Sequence, residues 1–223
     1  MIEFVQVSKF HNREWPSLDN VSFKIEKGEF VLLTGKSGSG KSTLLYHMYM
    51  KELPSSGTVF VDKYESSSIK RSDIPELRRK VCMIFQEPHL LYDRNVFENI
   101  ALPLRLIGED ETELRKKVLQ ALSYVGLSHR MDDPSLRLST GEKQRVCIAR
   151  ALVCDPLVLL ADEPTGNLDS ETSAEIIKLL KSIHIQGTAV VVATHMPTIA
   201  DDWPGRRLHL DSGKLVSDRR RSL

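Results

Sequence analysis

A chain of 223 residues, 41% of them hydrophobic, has the apolar content for one large domain, or for one domain carrying an inserted subdomain, and is not composed like a disordered chain. Its 31 Lys and Arg balance 30 Asp and Glu to a net charge of +1, so no overall field draws the surface to nucleic acid, and no nucleic-acid partner is expected. No apolar run approaches the roughly 18 residues that span a bilayer, and Met1-Ile2-Glu3 does not begin a basic-then-apolar leader, so a cytosolic chain is expected.

From the N-terminus, Ile2 to Ser8, Leu18 to Ile25 and Gly57 to Val61 alternate apolar with polar residues, the pattern of antiparallel strands with one wet face. Four other runs are apolar on both faces: Phe30-Val31-Leu32-Leu33, Val81-Cys82-Met83-Ile84-Phe85, Leu157-Val158-Leu159-Leu160 and Ala189-Val190-Val191-Val192. Strands of this kind belong to a parallel sheet covered by helices. Between Phe85 and Leu157 the strands stop. There Leu114, Val118, Ala121, Leu122 and Val125 share one helical face, Glu111/Arg115 and Glu113/Lys117 make four-residue charge pairs, and Gly126 closes the helix.

Asp169-Ser170 opens another helix with Ile176, Ile177, Leu180 and Ile183 inward. A hairpin follows, with Arg207 to Leu210 turning at Asp211-Ser212-Gly213 into Lys214 to Val216, and Asp218-Arg219-Arg220-Arg221 reads as a solvated, frayed tail. Cys82, Cys147 and Cys154 form no CxxC pair and are odd in number, which argues against a disulfide frame or a zinc site and for small core residues. The expected fold is α/β: a P-loop core with a parallel sheet, a flanking antiparallel β-subdomain (together residues 1–86 and 156–223), and an inserted helical subdomain (87–155) within one domain.

The chemistry starts at Gly35-Lys36-Ser37-Gly38-Ser39-Gly40-Lys41-Ser42-Thr43, which fits G-x-x-x-x-G-K-[ST] and lies between a predicted strand and the helical pattern Thr43 to Met48. The glycines let backbone N–H groups turn toward phosphates, and the helix that follows adds the positive end of its dipole. Lys41 would bridge the β- and γ-phosphates of a nucleoside triphosphate, and Ser42 would bind Mg²⁺. Further along, Asp162 and Glu163 end a buried strand, where open parallel sheets gather ligands. Alone they are equally an ordinary polar strand end. Beside the loop, Asp162 becomes a Mg²⁺ holder, usually through a water, and Glu163 the general base that polarises an attacking water.

With these residues in place the chain resembles, over essentially its whole length, the nucleotide-binding subunits of ABC (ATP-binding cassette) systems. Gln86 falls at the family's Q-loop, His195 in Ala193-Thr194-His195 at its switch histidine, and Leu168-Asp169 at its D-loop. Leu138-Ser139-Thr140-Gly141-Glu142-Lys143-Gln144-Arg145 resembles the signature motif LSGGQ. The resemblance implies ATP hydrolysis with Mg²⁺ and an ATP-dependent homodimer, in which Ser139, Thr140, Gly141 and Glu142 of one copy meet the nucleotide held by the Lys41 loop of the other. It also implies that Gln86 senses the γ-phosphate and Mg²⁺ and relays this to a membrane partner, and that His195 orients the γ-phosphate and the water.

The chain departs from the pattern at three positions. Thr140 stands where a glycine is usual, Met196 where an Asp often follows the histidine, and His11 where an adenine-stacking tyrosine is usual, so Phe10 or His11 serves the base, with a core role for Phe10 equally open. If position 140 needs a positive φ, threonine is strained there. Within the family, Asp93-Arg94 followed by Val96 resembles the cell-division branch, whose ATPase works with a membrane protein to control cell-wall hydrolases. The alternatives are a lipoprotein-release or macrolide-type exporter and, from a different class, an ATP-gated scaffold with negligible turnover.

Overall fold

The computed structural model describes residues 1–10, 16–195, 203 and 205–220. Its strands are β1 (Ile2–Phe10), β2 (Pro16–Ile25), β3 (Phe30–Thr34), β4 (Ser56–Val61), β5 (Tyr64–Glu65), β6 (Val81–Ile84), β7 (Val158–Asp162), β8 (Ala189–Thr194), β9 (Arg206–Asp211) and β10 (Lys214–Arg219). The helices are α1 (Lys41–Met48), α2 (Ile74–Lys80), α3 (Val96–Leu106), α4 (Glu111–Tyr124), α5 (Thr140–Leu152) and α6 (Ser170–Ile185).

Two sheets organise these elements. One is antiparallel, in the order β2-β1-β4-β5; the other runs β10-β9-β3-β8-β7-β6, parallel from β9 to β6 with β10 antiparallel at the edge. The two apolar faces foreseen for the parallel strands are sorted by the period of two. Phe30, Leu32, Leu159, Ala161, Val190 and Val192 face a core built with α3 to α6. Val31, Leu33, Val158, Leu160, Val191 and Ala193 face a second core with α1 and the antiparallel sheet. Every residue of β7 and β8 is buried, so the C-terminal ends of these strands cannot shift independently of the cores.

Several local expectations are corrected. The first helix begins at Lys41, ahead of Thr43, because Gly40 takes the left-handed N-cap position. Leu157 is 43% exposed and precedes its strand. On α4, Lys117 pairs with Glu109 and Glu113 with Lys116, while Arg115 lies over the Phe97 ring, so the i,i+4 pairs give way to partners outside that spacing. Gly126, at φ 76°, does close this helix. The expected frayed tail is ordered through Arg220: Asp218 pairs with Arg206 at 2.6 Å and Arg220 with Glu29 at 3.1 Å. Cys82 and Cys147 are buried, whereas Cys154 is half-buried.

Candidate nucleotide-binding site

The ends of β3, β7 and β8 and the start of α1 converge on a cavity of about 390 Å³, lined by Ser17, Ser37, Gly38, Gly40, Lys41, Ser42, Thr43, Gln86, Glu163 and His195. The loop from Gly35 to Gly40 closes tightly. A side chain at Gly40 would meet the Ser17 carbonyl at 2.3 Å, and the residue's φ of 103° is one that L side chains rarely adopt. That contact also explains Ser17. It enters the cavity from β2, some twenty residues ahead of the loop, and carries no motif that would have revealed it.

Lys41 is 6% exposed and donates from Nζ to the carbonyls of Gly35 at 2.9 Å and Lys36 at 3.1 Å. Its ammonium therefore sits curled inside its own loop, with Glu163 Oε1 at 3.9 Å. Ser39 is buried, with its hydroxyl unpartnered. Ser42 donates to Asp162 Oδ1 at 3.0 Å. Burial pushes the Asp162 carboxyl above its ordinary value, with the neighbouring Glu163 charge adding to this and the Ser42 hydrogen bond opposing it. A carboxylate held this way gains most from a cation, and the hard oxygen donors of Ser42 and Asp162 suit Mg²⁺.

Glu163 is set by backbone geometry as much as by burial. At φ 45° it lies in the left-handed region, which costs a non-glycine residue on the order of 1 kcal/mol. Its N–H donates to the Ala193 carbonyl at 2.9 Å, which ties the turn to β8. The turn brings its carboxylate to the end of that strand, where Oε1 lies 2.8 Å from His195 Nδ1. Oε2 is buried without a partner, in a side chain 9% exposed. Glu163 lines the cavity, so a small rotation of this carboxylate would present an acceptor without a partner to water there. Gln86 is exposed on the cavity, two residues beyond the end of β6.

The other candidates lie elsewhere. Ser139, Thr140, Gly141 and Glu142 form the start of α5 and do not line the Lys41 cavity of their own chain. Ser139 is the N-cap in a complete capping box: Glu142 N donates to its hydroxyl at 3.2 Å, and Ser139 N donates to Glu142 Oε2 at 2.8 Å. Thr140 is the first helical residue and is not at positive φ, so the strain that would attend a left-handed threonine does not arise. Gly141 packs against α6, where a side chain would meet Thr172 Cγ2 at 2.6 Å.

Asp169 caps α6, accepting from Thr172 N at 2.9 Å and Thr172 Oγ1 at 2.7 Å, which fixes the side chain that Gly141 must clear. Phe10 is 46% exposed at the end of β1, so it is not a core aromatic, and it does not line the cavity. His11 and Met196 lie outside the described residues. The Asp93–Arg94 contact is a surface ion pair, 3.6 Å long.

A glycine loop around a buried lysine, a serine–aspartate pair and a glutamate–histidine pair at the ends of parallel strands together define a nucleoside-triphosphate-binding cassette. The ABC transporter family model matches residues 18–166. Over 100% of this chain and 97% of its relative, the sequence is 43% identical to the cell division ATP-binding protein FtsE of Mycobacterium tuberculosis. It is 41% identical to FtsE of Bacillus subtilis (99% and 97% covered) and 42% identical to FtsE of Escherichia coli K12 (96% and 97% covered). Among solved structures, the dimeric ABC transporter cassette MJ0796 superposes with a TM-score of 0.90 at 34% identity, covering 100% of both chains. A second structure of MJ0796, a dimeric post-hydrolysis state bound to ADP and Pi, also gives 0.90, at 33% identity and the same coverage. The chain belongs to the ABC transporter family and, within it, to the FtsE cell division ATP-binding proteins.

Proposed function

We propose that this chain is the Mg²⁺-dependent ATPase subunit of a cell-division ABC complex, acting through an FtsX-like integral membrane protein on cell-wall hydrolases outside. The carrying observation is the Glu163 carboxylate, one oxygen held by His195 and the other buried without a partner at the edge of the phosphate loop. A protein that only bound ATP would have no use for that arrangement.

Lys41 would exchange its two loop carbonyls for the β- and γ-phosphates, with the backbone from Gly35 to Thr43 around them. Ser42, Asp162 and Gln86 would hold Mg²⁺, which when bound supplies charge neutralisation on the phosphates. Glu163 takes the proton of the attacking water, and His195 fixes the orientation of that carboxylate. Phe10 or His11 would stack on adenine. Two copies would face head to tail, with the α5 N-terminus, the Ser139 hydroxyl and the Gly141 N–H of one meeting the γ-phosphate on the other, and Asp169 beside them. Closure then depends on the γ-phosphate, and hydrolysis removes the contact that sustains it.

Among the described residues no helix is long and apolar enough to cross a membrane. The chain would sit on the cytoplasmic face through its partner. A groove of about 460 Å³ beside the Gln86 loop, with Leu102, Leu106 and Ile107 on one side and Arg78 and Arg79 on the other, is suited to a helix of that partner. Leu106, 78% exposed, is left without a cover. The division into a core (1–86 and 156–223) and an insert (87–155) belongs to the same reading, with the groove at their junction.

Mg²⁺-dependent ATP hydrolysis by the purified chain reconstituted with its membrane partner tests the proposal. Lys41→Ala should abolish turnover and weaken ATP binding at least tenfold by calorimetry; unchanged affinity would count against the loop.

A further inference from the structure

The segment from Phe85 to Asn95 leaves the core sheet at β6 but is held by the helical insert. Its far end is fixed by two fully buried side chains. Asn99 of α3 accepts from Leu91 N at 2.8 Å and donates to Leu91 O at 2.9 Å, and Ser135, just ahead of the α5 cap, lies 2.8 Å from both Leu91 O and Arg94 O. Its middle is held by one bond from the α5 helix itself. Arg150 Nη1 donates to the His89 carbonyl at 2.6 Å.

The His89 ring lies 5.1 Å from the Phe85 ring, which meets Tyr49 edge-on at 6.0 Å, just past the end of α1. Gln86, between Phe85 and His89, thus projects into the nucleotide cavity from a loop whose backbone answers to α5. The same helix carries Ser139 at its other end. Arg150 also lines the groove beside the loop, and among the described residues no carboxylate does. Asn99 and Ser135 are inseparable from the fold. Arg150 is only half-buried, so its bond to His89 is an adjustable tie, beside the looser contact of Lys143 with the Tyr92 ring at 5.6 Å.

We propose that Arg150 is a positioning residue for Gln86: its guanidinium fixes the loop backbone so that the Gln86 side chain and the α5 N-terminus move as one unit. The proposal rests on the ATPase reading above, in which Gln86 attends the γ-phosphate and Mg²⁺. Arginine suits the task because its planar fork holds a carbonyl with one N–H while others remain for a group entering the groove. Lysine would keep the charge and a donor nitrogen but not the planar geometry.

The test is a double-mutant cycle on Mg²⁺-dependent ATPase with the protein reconstituted as for wild type. Arg150→Ala should lower kcat at least fivefold and raise the half-saturating Mg²⁺ concentration at least threefold, with metal-free ATP affinity and Tm unchanged. Arg150→Lys should recover part of both losses. In a Gln86→Ala background, Arg150→Ala should add less than a further twofold. Full additivity in that background, or an Arg150→Ala variant with wild-type kcat and Mg²⁺ dependence, would overturn the assignment. Wild-type protein without ATPase would instead defeat the ATPase reading itself.

Discussion

At Glu163 the residue and its conformation make one device. A glutamate that continued the β7 geometry would project from the sheet like any strand residue; the turn to φ 45° carries it over to His195 at the end of the neighbouring strand. The residue types at this site were legible from the sequence because the loop and the acidic strand end are local patterns. The left-handed turn was not, since nothing in Asp162-Glu163-Pro164 announces a positive φ. Ser17 was hidden for a different reason, being placed by its close approach to Gly40 from another sheet.

Thr140 shows a sequence anomaly losing its force once its backbone is known. The signature comparison left strain at this position conditional on a positive φ, and Thr140 occupies the first turn of α5 with an ordinary helical backbone. Thr140→Gly therefore relieves no strain. The variant should unfold within about 0.5 kcal/mol of wild type, and ATP-driven dimerisation, followed by sedimentation in a Glu163→Gln background, should change less than twofold. A tenfold gain in dimerisation would mean that the methyl or hydroxyl of Thr140 hinders closure. With the strain gone, the substitution gives no support to a scaffold without turnover.

Among the elements, α5 ties the account together. Its N-terminus leaves the N–H groups of its first turn only partly claimed by the capping box, as the proposed anion contact requires, with Gly141 pressed against the capped start of α6. Its middle buries Val146, Cys147, Ile148 and Ala149 against the core, and its far end reaches the Gln86 loop through Arg150.

The Glu142 carboxyl is held below its ordinary 4.5, chiefly by the Ser139 backbone N–H and further by the Ser139 hydroxyl and Arg130. Because the folded value is the depressed one, this contribution is complete above the unfolded value and is lost as pH falls through the folded one. The gap in urea midpoint between wild type and Glu142→Ala should be constant from pH 7 to 5 and close below pH 4.5. A gap that persists unchanged at pH 3 would show that Glu142 acts by packing and not by its charge.

Across the whole molecule, the two cores on opposite faces of the parallel sheet hold the ends of β3, β7 and β8 in fixed relation, while α3 to α5 pack on one face only. This arrangement was legible from the doubly apolar strands. The pairing of Lys117 and Arg115 on α4 and the ordering of the C-terminal strand were not, because both depend on partners outside the element itself: Glu109 and Phe97 for the helix, Arg206 and Glu29 for the tail. The same division explains why the nucleotide site looks incomplete in one chain. Lys41, Ser42, Asp162, Glu163 and His195 gather at the core strands, whereas Ser139 and Gly141 stand at the start of α5, outside that cavity.

The central claim is that a second copy completes the site and that hydrolysis assisted by Glu163 then removes the γ-phosphate contact that holds the two together. Sedimentation velocity of Glu163→Gln with ATP, set against ADP and beside wild type, tests both halves. The account predicts a stable dimer with ATP, a monomer with ADP, and turnover at least about a hundredfold below wild type. A monomer under every nucleotide condition, or turnover equal to wild type, would contradict it.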